Sequence, residues 1–253
     1  MARVRAAVLA AGMSVRMGGV IPKTLTPVGE HNSFLHYILA GLRHAAIEDL
    51  LVVTGFKSSL VEDFVRENWH DDVAFVFNAR YASWGNFHSA RMAIDQSPQS
   101  ELLLINSDIV IHPEVFQDVI DAPGDLVLAV QQKTKFDTEE MRVQLDTDRV
   151  VAIGKDLPLS QSHGEFAGVS LLRTEAARAY ARTATDLEWS AETTLYYEDV
   201  YSTLLDRLDA RAVPVSEDRY AEVDNPNEVG AAVEIVTRHR DAWPDTTAAK
   251  AGA

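Results

Sequence analysis

The run Ala7–Ala11 is apolar at every position and halts at Gly12. A strand without alternation is buried on both faces, the habit of a parallel sheet covered by helices on each side. The loop that follows carries Ser14, Gly18 and Gly19, and within it Arg16 and Lys23 are the only Arg or Lys between Arg5 and Arg43. Small residues let backbone approach a ligand, and unpaired N–H groups in such a loop make an anion nest. Arg offers a planar fork to phosphate oxygens and Lys a compact charge. The stretch therefore reads as a triphosphate site, with a solvated turn as the plainer alternative.

The rest of the chain repeats the strand–helix rhythm. Asn32-Ser33 can cap a helix whose apolar face is Phe34, Leu35, Ile38, Leu39 and Leu42. Leu50–Thr54 is a second buried strand, and Ser59 with Glu62 has capping-box spacing ahead of Phe64 and Val65. Val73, Phe75 and Phe77 alternate as a strand, Leu102–Ile105 is another buried one, and His112-Pro113 opens a helix. After Pro123-Gly124 strands dominate at Leu126–Val130, Met141–Leu145, Val150–Ile153 and Phe166–Leu172. Helices follow over Glu175–Arg182 and Thr193–Leu208, then a strand at Ala212–Val215 and a helix after Asn225-Pro226. The expected fold is α/β: a doubly wound, mostly parallel central sheet with a small antiparallel region. We expect one domain over residues 1–240 and a disordered polar tail over 241–253.

Composition narrows the function. The chain has 253 residues, no cysteine and a formal net charge of -15. Disulfides, thiolate metal sites and cysteine catalysis are excluded. An acidic surface repels nucleic-acid backbones, so no nucleic-acid partner is expected, and a local cationic cluster gains meaning. No segment reaches the ~18 apolar residues of a membrane span. Arg16 follows the first apolar run too closely for a signal peptide. A cytoplasmic protein is expected.

Ligands of open parallel sheets bind beyond the carboxyl ends of the strands. The loops after Ala11, Gly55, Asn78 and Ile105 should then line one cleft, with Ser107 and Asp108 in the last of them. A carboxylate there can hold Mg²⁺ against a triphosphate, unless Asp108 merely caps the turn toward Pro113. Trp189, Tyr196, Tyr197, Glu198 and Asp199 bunch aromatics with acids, a mixture that binds ammonium groups when it is not simply core.

Leu9-Ala10-Ala11-Gly12, then Arg16, then Pro22-Lys23 and Leu25 resemble the signature of nucleotidyltransferases that join an NTP to a phosphorylated small molecule, the sugar-phosphate and phosphocholine cytidylyl-, uridylyl- and guanylyltransferases. The family usually has glycine where this chain has Ser14, and a longer gap from Arg to Pro-Lys. The resemblance implies a Rossmann-like fold, nucleotide contacts from Leu9 to Ser14 (Met13 included) and at Ser107, and Mg²⁺ as cofactor. It also implies a second metal ligand at Asp224, in Tyr220–Pro226; a helix cap at Asp224 or Asn225 is the alternative. Ala82–Ala90 is similar to the base-selecting loop of the family. There Gly85 would admit a flat base and Asn86 would read its edge, unless Asn86 only caps a helix. Ile153–Leu157 and Gly164–Val169 resemble the acceptor half of cytidylyltransferase members, with Lys155 on the acceptor phosphate and Glu165 beyond it.

The implied reaction is transfer of a nucleoside monophosphate, CMP from CTP by preference, to a phosphorylated or phosphonylated acceptor such as phosphocholine, an aminoalkylphosphonate or a polyol or sugar phosphate. Arg16, Lys23 and Lys155 are the expected catalytic cations, and Glu165, Trp189, Glu198 and Asp199 the expected acceptor contacts. Uridylyl or guanylyl transfer is the alternative. A nucleotide-sugar glycosyltransferase would show an Asp-x-Asp motif where this chain reads Ser107-Asp108-Ile109-Val110. A non-catalytic binding module would not need Arg16, Lys23, Asp108 and Asp224 together. A homodimer is compatible with the sequence.

Overall fold

Val4–Ala10 forms β1, with its last five residues buried. Ala7 and Leu9 enter one apolar layer, while Ala6, Val8 and Ala10 enter the layer on the opposite face. Successive strand side chains point to opposite sides, so a strand without polar positions needs a core on each. This computed structural model describes residues 3–14, 17–29 and 32–243. Arg16 and residues 244–253 of the expected tail lie outside them.

The first half continues with β2 (Pro27–Val28), β3 (Asn32–Ser33), α1 (Phe34–His44), β4 (Asp49–Thr54), α2 (Ser58–Asn68), β5 (Asp72–Phe77), α3 (Phe87–Asp95), β6 (Glu101–Asn106), β7 (Ile109–Ile111) and α4 (Glu114–Asp121). The second half adds β8 (Leu126–Gln132), β9 (Arg142–Asp146), β10 (Arg149–Gly154), β11 (Gly164–Leu172), α5 (Thr174–Trp189), α6 (Tyr197–Ser202), β12 (Ala210–Val215), β13 (Tyr220–Glu222) and α7 (Val229–Arg238). Nine strands make one sheet in the order β5-β4-β1-β6-β11-β8-β12-β10-β9. The strands β5, β4, β1 and β6 run parallel, as do β8 and β12, whereas β11 and β10 run against their neighbours. The expected doubly wound α/β fold is what forms.

Three relations position the site. β1 lies between β4 and β6, so the order reverses at β1 and a crevice opens beyond its carboxyl end. The helices α1, α2 and α4 cover one face, while α3, α5 and α6 cover the other. The ribbon of β7 and β13 is antiparallel, with Glu222 opposite Ile109, and the Val223 N–H donates to the Asp108 carbonyl at 3.1 Å. That ribbon carries the residue after β13 to the end of β6.

Local signals held unevenly. Ser33 caps α1 and accepts from the His36 N–H at 3.3 Å. The expected box of Ser59 and Glu62 does not form: α2 starts two residues earlier, behind Lys57 at φ 47. The helix expected over Thr193–Leu208 shrinks to α6, and the backbone of Thr194 and Leu195 just before it packs against Gly85. Order extends beyond residue 240: residues 240–242 make a 3-10 turn, and the Trp243 ring meets Tyr37 edge-on with centroids 5.4 Å apart. Among the described residues no helix is long and apolar enough to cross a membrane.

Candidate active site

Beyond the ends of β1 and β6 lies a cleft of about 270 Å³. Its floor is Leu9, Ala10, Ala11, Gly12 and Ser14, and its walls include Lys23, Asn86, Ser107, Asp108, Lys155, Glu198 and Asp224. Twelve of the residues expected from sequence therefore meet in one place, drawn from both halves of the chain.

The loop geometry explains its composition. Ser14 sits at φ 56, a left-handed conformation that favours glycine. Its carbonyl accepts from the N–H groups of Met17 and Gly19, both at 3.0 Å. Its hydroxyl accepts from the Lys23 N–H, so Ser14 ties both ends of the loop together. Among the described residues, a Cβ built on Gly12 meets nothing within 4 Å. The space above Gly12 is open to a ligand.

Lys23 projects into an acidic corner. Its ammonium lies 2.6 Å from Asp108 Oδ2 and 2.8 Å from Asp224 Oδ1. Burial alone would lower its pKa, but the two carboxylates outweigh burial and raise it. Glu222 stands beside them, two residues before Asp224, with its carboxyl pushed well above the usual range by burial and then by Asp108 and Asp224. One oxygen from each of Asp108, Glu222 and Asp224 falls within 4.8 Å of the others. Hard carboxylate oxygens at that spacing are the donor set Mg²⁺ takes beside phosphates and water. The capping alternative for Asp224 is answered locally: Asn225 caps the following turn, accepting from Asn227 N–H at 3.0 Å, and Glu228 completes the box.

On the opposite wall, Lys155 Nζ sits 4.7 Å from the centre of the Tyr196 ring, and Glu198 lies beneath. Glu198 is 4% exposed and its Oε2 has no hydrogen-bond partner among the described residues. Burial pushes this carboxyl up to about 8, against the pull of its own backbone N–H, the Tyr197 hydroxyl and Lys155. Between the two walls, Asn86 Oδ1 accepts from the Tyr197 N–H at 2.9 Å, and Tyr197 donates its hydroxyl to Asn106 Oδ1 at 2.8 Å. The Asn86 side chain therefore ties α3 to α6 and does not cap α3.

Residues 6–210 match the model of the MobA-like NTP transferase domain. The chain belongs to that family. Among curated relatives of this nucleotidyltransferase, the 2-aminoethylphosphonate cytidylyltransferase of Lancefieldella rimae is 25% identical over 234 residues, 90% of this chain and 92% of that protein. The D-glycero-alpha-D-manno-heptose 1-phosphate guanylyltransferase of Aneurinibacillus thermoaerophilus is 24% identical over 153 residues, 58% of this chain. That match spans 65% of the guanylyltransferase, just under two thirds of its length. The solved CTP:phosphocholine cytidylyltransferase from Streptococcus pneumoniae superposes with a TM-score of 0.78 at 21% identity, covering 92% of this chain and 99% of that one. The inositol-1-phosphate CTP transferase from T. maritima gives 0.77 at 18% identity, covering 93% and 97%. These structures share the Rossmann-like α/β fold of this nucleotidyltransferase.

Five expected residues stand elsewhere. Gly85 is not among the residues lining the cleft: a Cβ there would lie 1.9 Å from the Leu195 carbonyl oxygen, so close backbone packing demands this glycine. Trp189 ends α5 at 87% exposure and is not among the residues lining the cleft. Asp199 turns back to accept from the Tyr196 N–H at 2.7 Å, capping its own helix. Glu165 is buried against Lys133 and lines a neighbouring acidic cavity. Met13 is exposed on the loop, outside the lining.

The cleft also has walls that the sequence reading passed over, Thr24, Ser89, Asn106, Glu139, Met141 and Glu222, while Tyr196 of the expected aromatic–acid cluster lines it too. Glu222 alone had a legible signal. It lies two residues before Asp224, in the same Tyr220–Pro226 stretch that the resemblance singles out. The others reach the cleft through tertiary packing.

Proposed function

We infer that this protein transfers CMP from CTP to a small acceptor bearing a phosphate or phosphonate, releasing pyrophosphate. The observation that carries the reading is the meeting of Lys23 with Asp108 and Asp224 at the mouth of the Gly12 loop. A cation and two carboxylates facing an open glycine floor at the switch point suit a metal-bound triphosphate.

In the proposed reaction an acceptor oxyanion attacks the α-phosphorus. The new P–O bond forms as the bond from that phosphorus to the β-bridging oxygen breaks, and pyrophosphate carries away the electron pair. The nucleophile is already ionised, so no general base is required. The backbone of Leu9–Ser14 cradles the nucleotide, and Asn106 and Ser107 border it. Lys23 and Arg16 neutralise the α-phosphate and the leaving pyrophosphate, and Lys155 orients the acceptor oxyanion opposite. Asp108 and Asp224, with Glu222 beside them, would hold Mg²⁺, which when bound adds positive charge to the triphosphate. Asn86, with Oδ1 already engaged by Tyr197, offers its amide N–H groups to the base carbonyl.

At the acceptor end, Glu198 and Tyr196 favour a compound that also carries an ammonium group. Glu198, protonated while buried without a cation, ionises against an ammonium seated beside it, and the resulting carboxylate with the Tyr196 face recognises that cation. The two cytidylyltransferases among the relatives, named for 2-aminoethylphosphonate and phosphocholine, support this choice.

The test is pyrophosphate release from each of four NTPs against a panel of phosphorylated and phosphonylated acceptors. Preference for CTP by at least tenfold, with an amino-bearing acceptor, is the expected pattern. Preference for UTP or GTP with a sugar 1-phosphate would replace this reading with the uridylyl or guanylyl one.

A further inference from the structure

The Lys23 ammonium bridges Asp108 Oδ2 and Asp224 Oδ1 at 2.6 and 2.8 Å. The proposed function gives those carboxylates to a divalent metal, and a competition between metal and ammonium rests on that reading. A metal would hold their oxygens at about 2.0–2.1 Å and draw on the same lone pairs as the ammonium. Two cations sharing those donors repel, so one leaves as the other enters. The Lys23 backbone is not free to move: its N–H donates to the Ser14 hydroxyl, and the residue opens the turn Lys23–Leu25 behind Pro22. Only the four-carbon stem can swing, which keeps the displaced ammonium within reach of the cleft.

We propose that Lys23 is the tethered counter-cation of the metal site, neutralising Asp108 and Asp224 until a divalent metal displaces its ammonium toward the triphosphate. Two carboxylates against one ammonium leave the corner short of positive charge, and Glu222 adds a third oxygen donor to it. The ammonium thereby sets the metal affinity of the free protein low, and the metal enters most readily with a nucleotide that offers Lys23 a new partner. One residue then serves both steps in turn.

The experiment is Mn²⁺ binding to the full chain without nucleotide, read from the paramagnetic resonance of free Mn²⁺. Lys23→Met and Lys23→Gln should each bind Mn²⁺ at least tenfold more tightly than wild type, although both lose turnover. Asp108→Asn should bind it more weakly than wild type. Circular dichroism establishes that each variant is folded. Unchanged or weaker binding in both Lys23 variants, with loss in Asp108→Asn, overturns the exchange and leaves the metal assignment standing. Wild-type affinity in Asp108→Asn overturns the metal assignment and the exchange with it.

Discussion

Gly85 and Leu195 are in direct backbone contact, with the Gly85 N–H donating to the Thr193 carbonyl at 2.7 Å. Through that contact the start of α3 supports the segment that carries Tyr196 and Glu198 into the cleft. Gly85→Ala must push the segment away, since the clash is with backbone rather than a flexible side chain. We expect a lower melting temperature and at least tenfold lower turnover, measured on the same preparation. A stable variant of normal activity would contradict this support role.

Gly12→Ala supplies the contrasting case. Its methyl would point into open space, so the fold has no reason to object. Melting temperature should stay near wild type, whereas nucleotide affinity in calorimetry should fall at least tenfold. Unimpaired nucleotide binding would move the triphosphate off the Gly12 floor.

Asp108→Asn and Asp224→Asn each remove one anionic oxygen donor from the corner around Lys23. Each variant should need roughly tenfold more Mg²⁺ for half-maximal activity. If either carboxylate were purely structural, its variant would melt earlier with an unchanged Mg²⁺ requirement.

Glu198 predicts a pH signature of stability. Its carboxyl is pushed from 4.5 up to about 8, chiefly by burial. Below about 4.5 both folded and unfolded chains hold the proton, and the residue is silent. Between about 4.5 and about 8 only the folded chain holds it, so this contribution falls as pH rises through that window. Glu198→Gln removes the effect. The melting temperature of the variant, relative to wild type, should therefore rise from pH 5 to pH 8.5; a constant difference would show that Glu198 titrates normally.

Much of the fold was legible because its decisive signals are local. The unbroken apolar run of β1 demanded two covered faces, and Ser33 marked the start of α1. Ser14, Lys23, Asp108 and Asp224 were legible as a set because loop chemistry and family resemblance both singled them out. Gly85 was read for a flat base, and the neighbour the structure shows is Leu195: a close approach requires glycine, but sequence does not say what approaches. Asp199 and Glu198 are adjacent, yet one caps α6 and the other is buried under the cleft. Composition gives both the same meaning, and only helix phase separates them. Tyr196 and Glu139 come from segments distant in sequence, so nothing local announces their meeting.

The most direct test of nucleotidyl transfer at this cleft is ³¹P NMR of CTP, Mg²⁺ and an aminoalkylphosphonate with the wild-type protein. The account predicts equal amounts of pyrophosphate and a new cytidylyl phosphoanhydride as CTP disappears, with Lys23→Ala slower by about 10². Orthophosphate appearing without loss of acceptor phosphorus, or Lys23→Ala matching wild type, would contradict it.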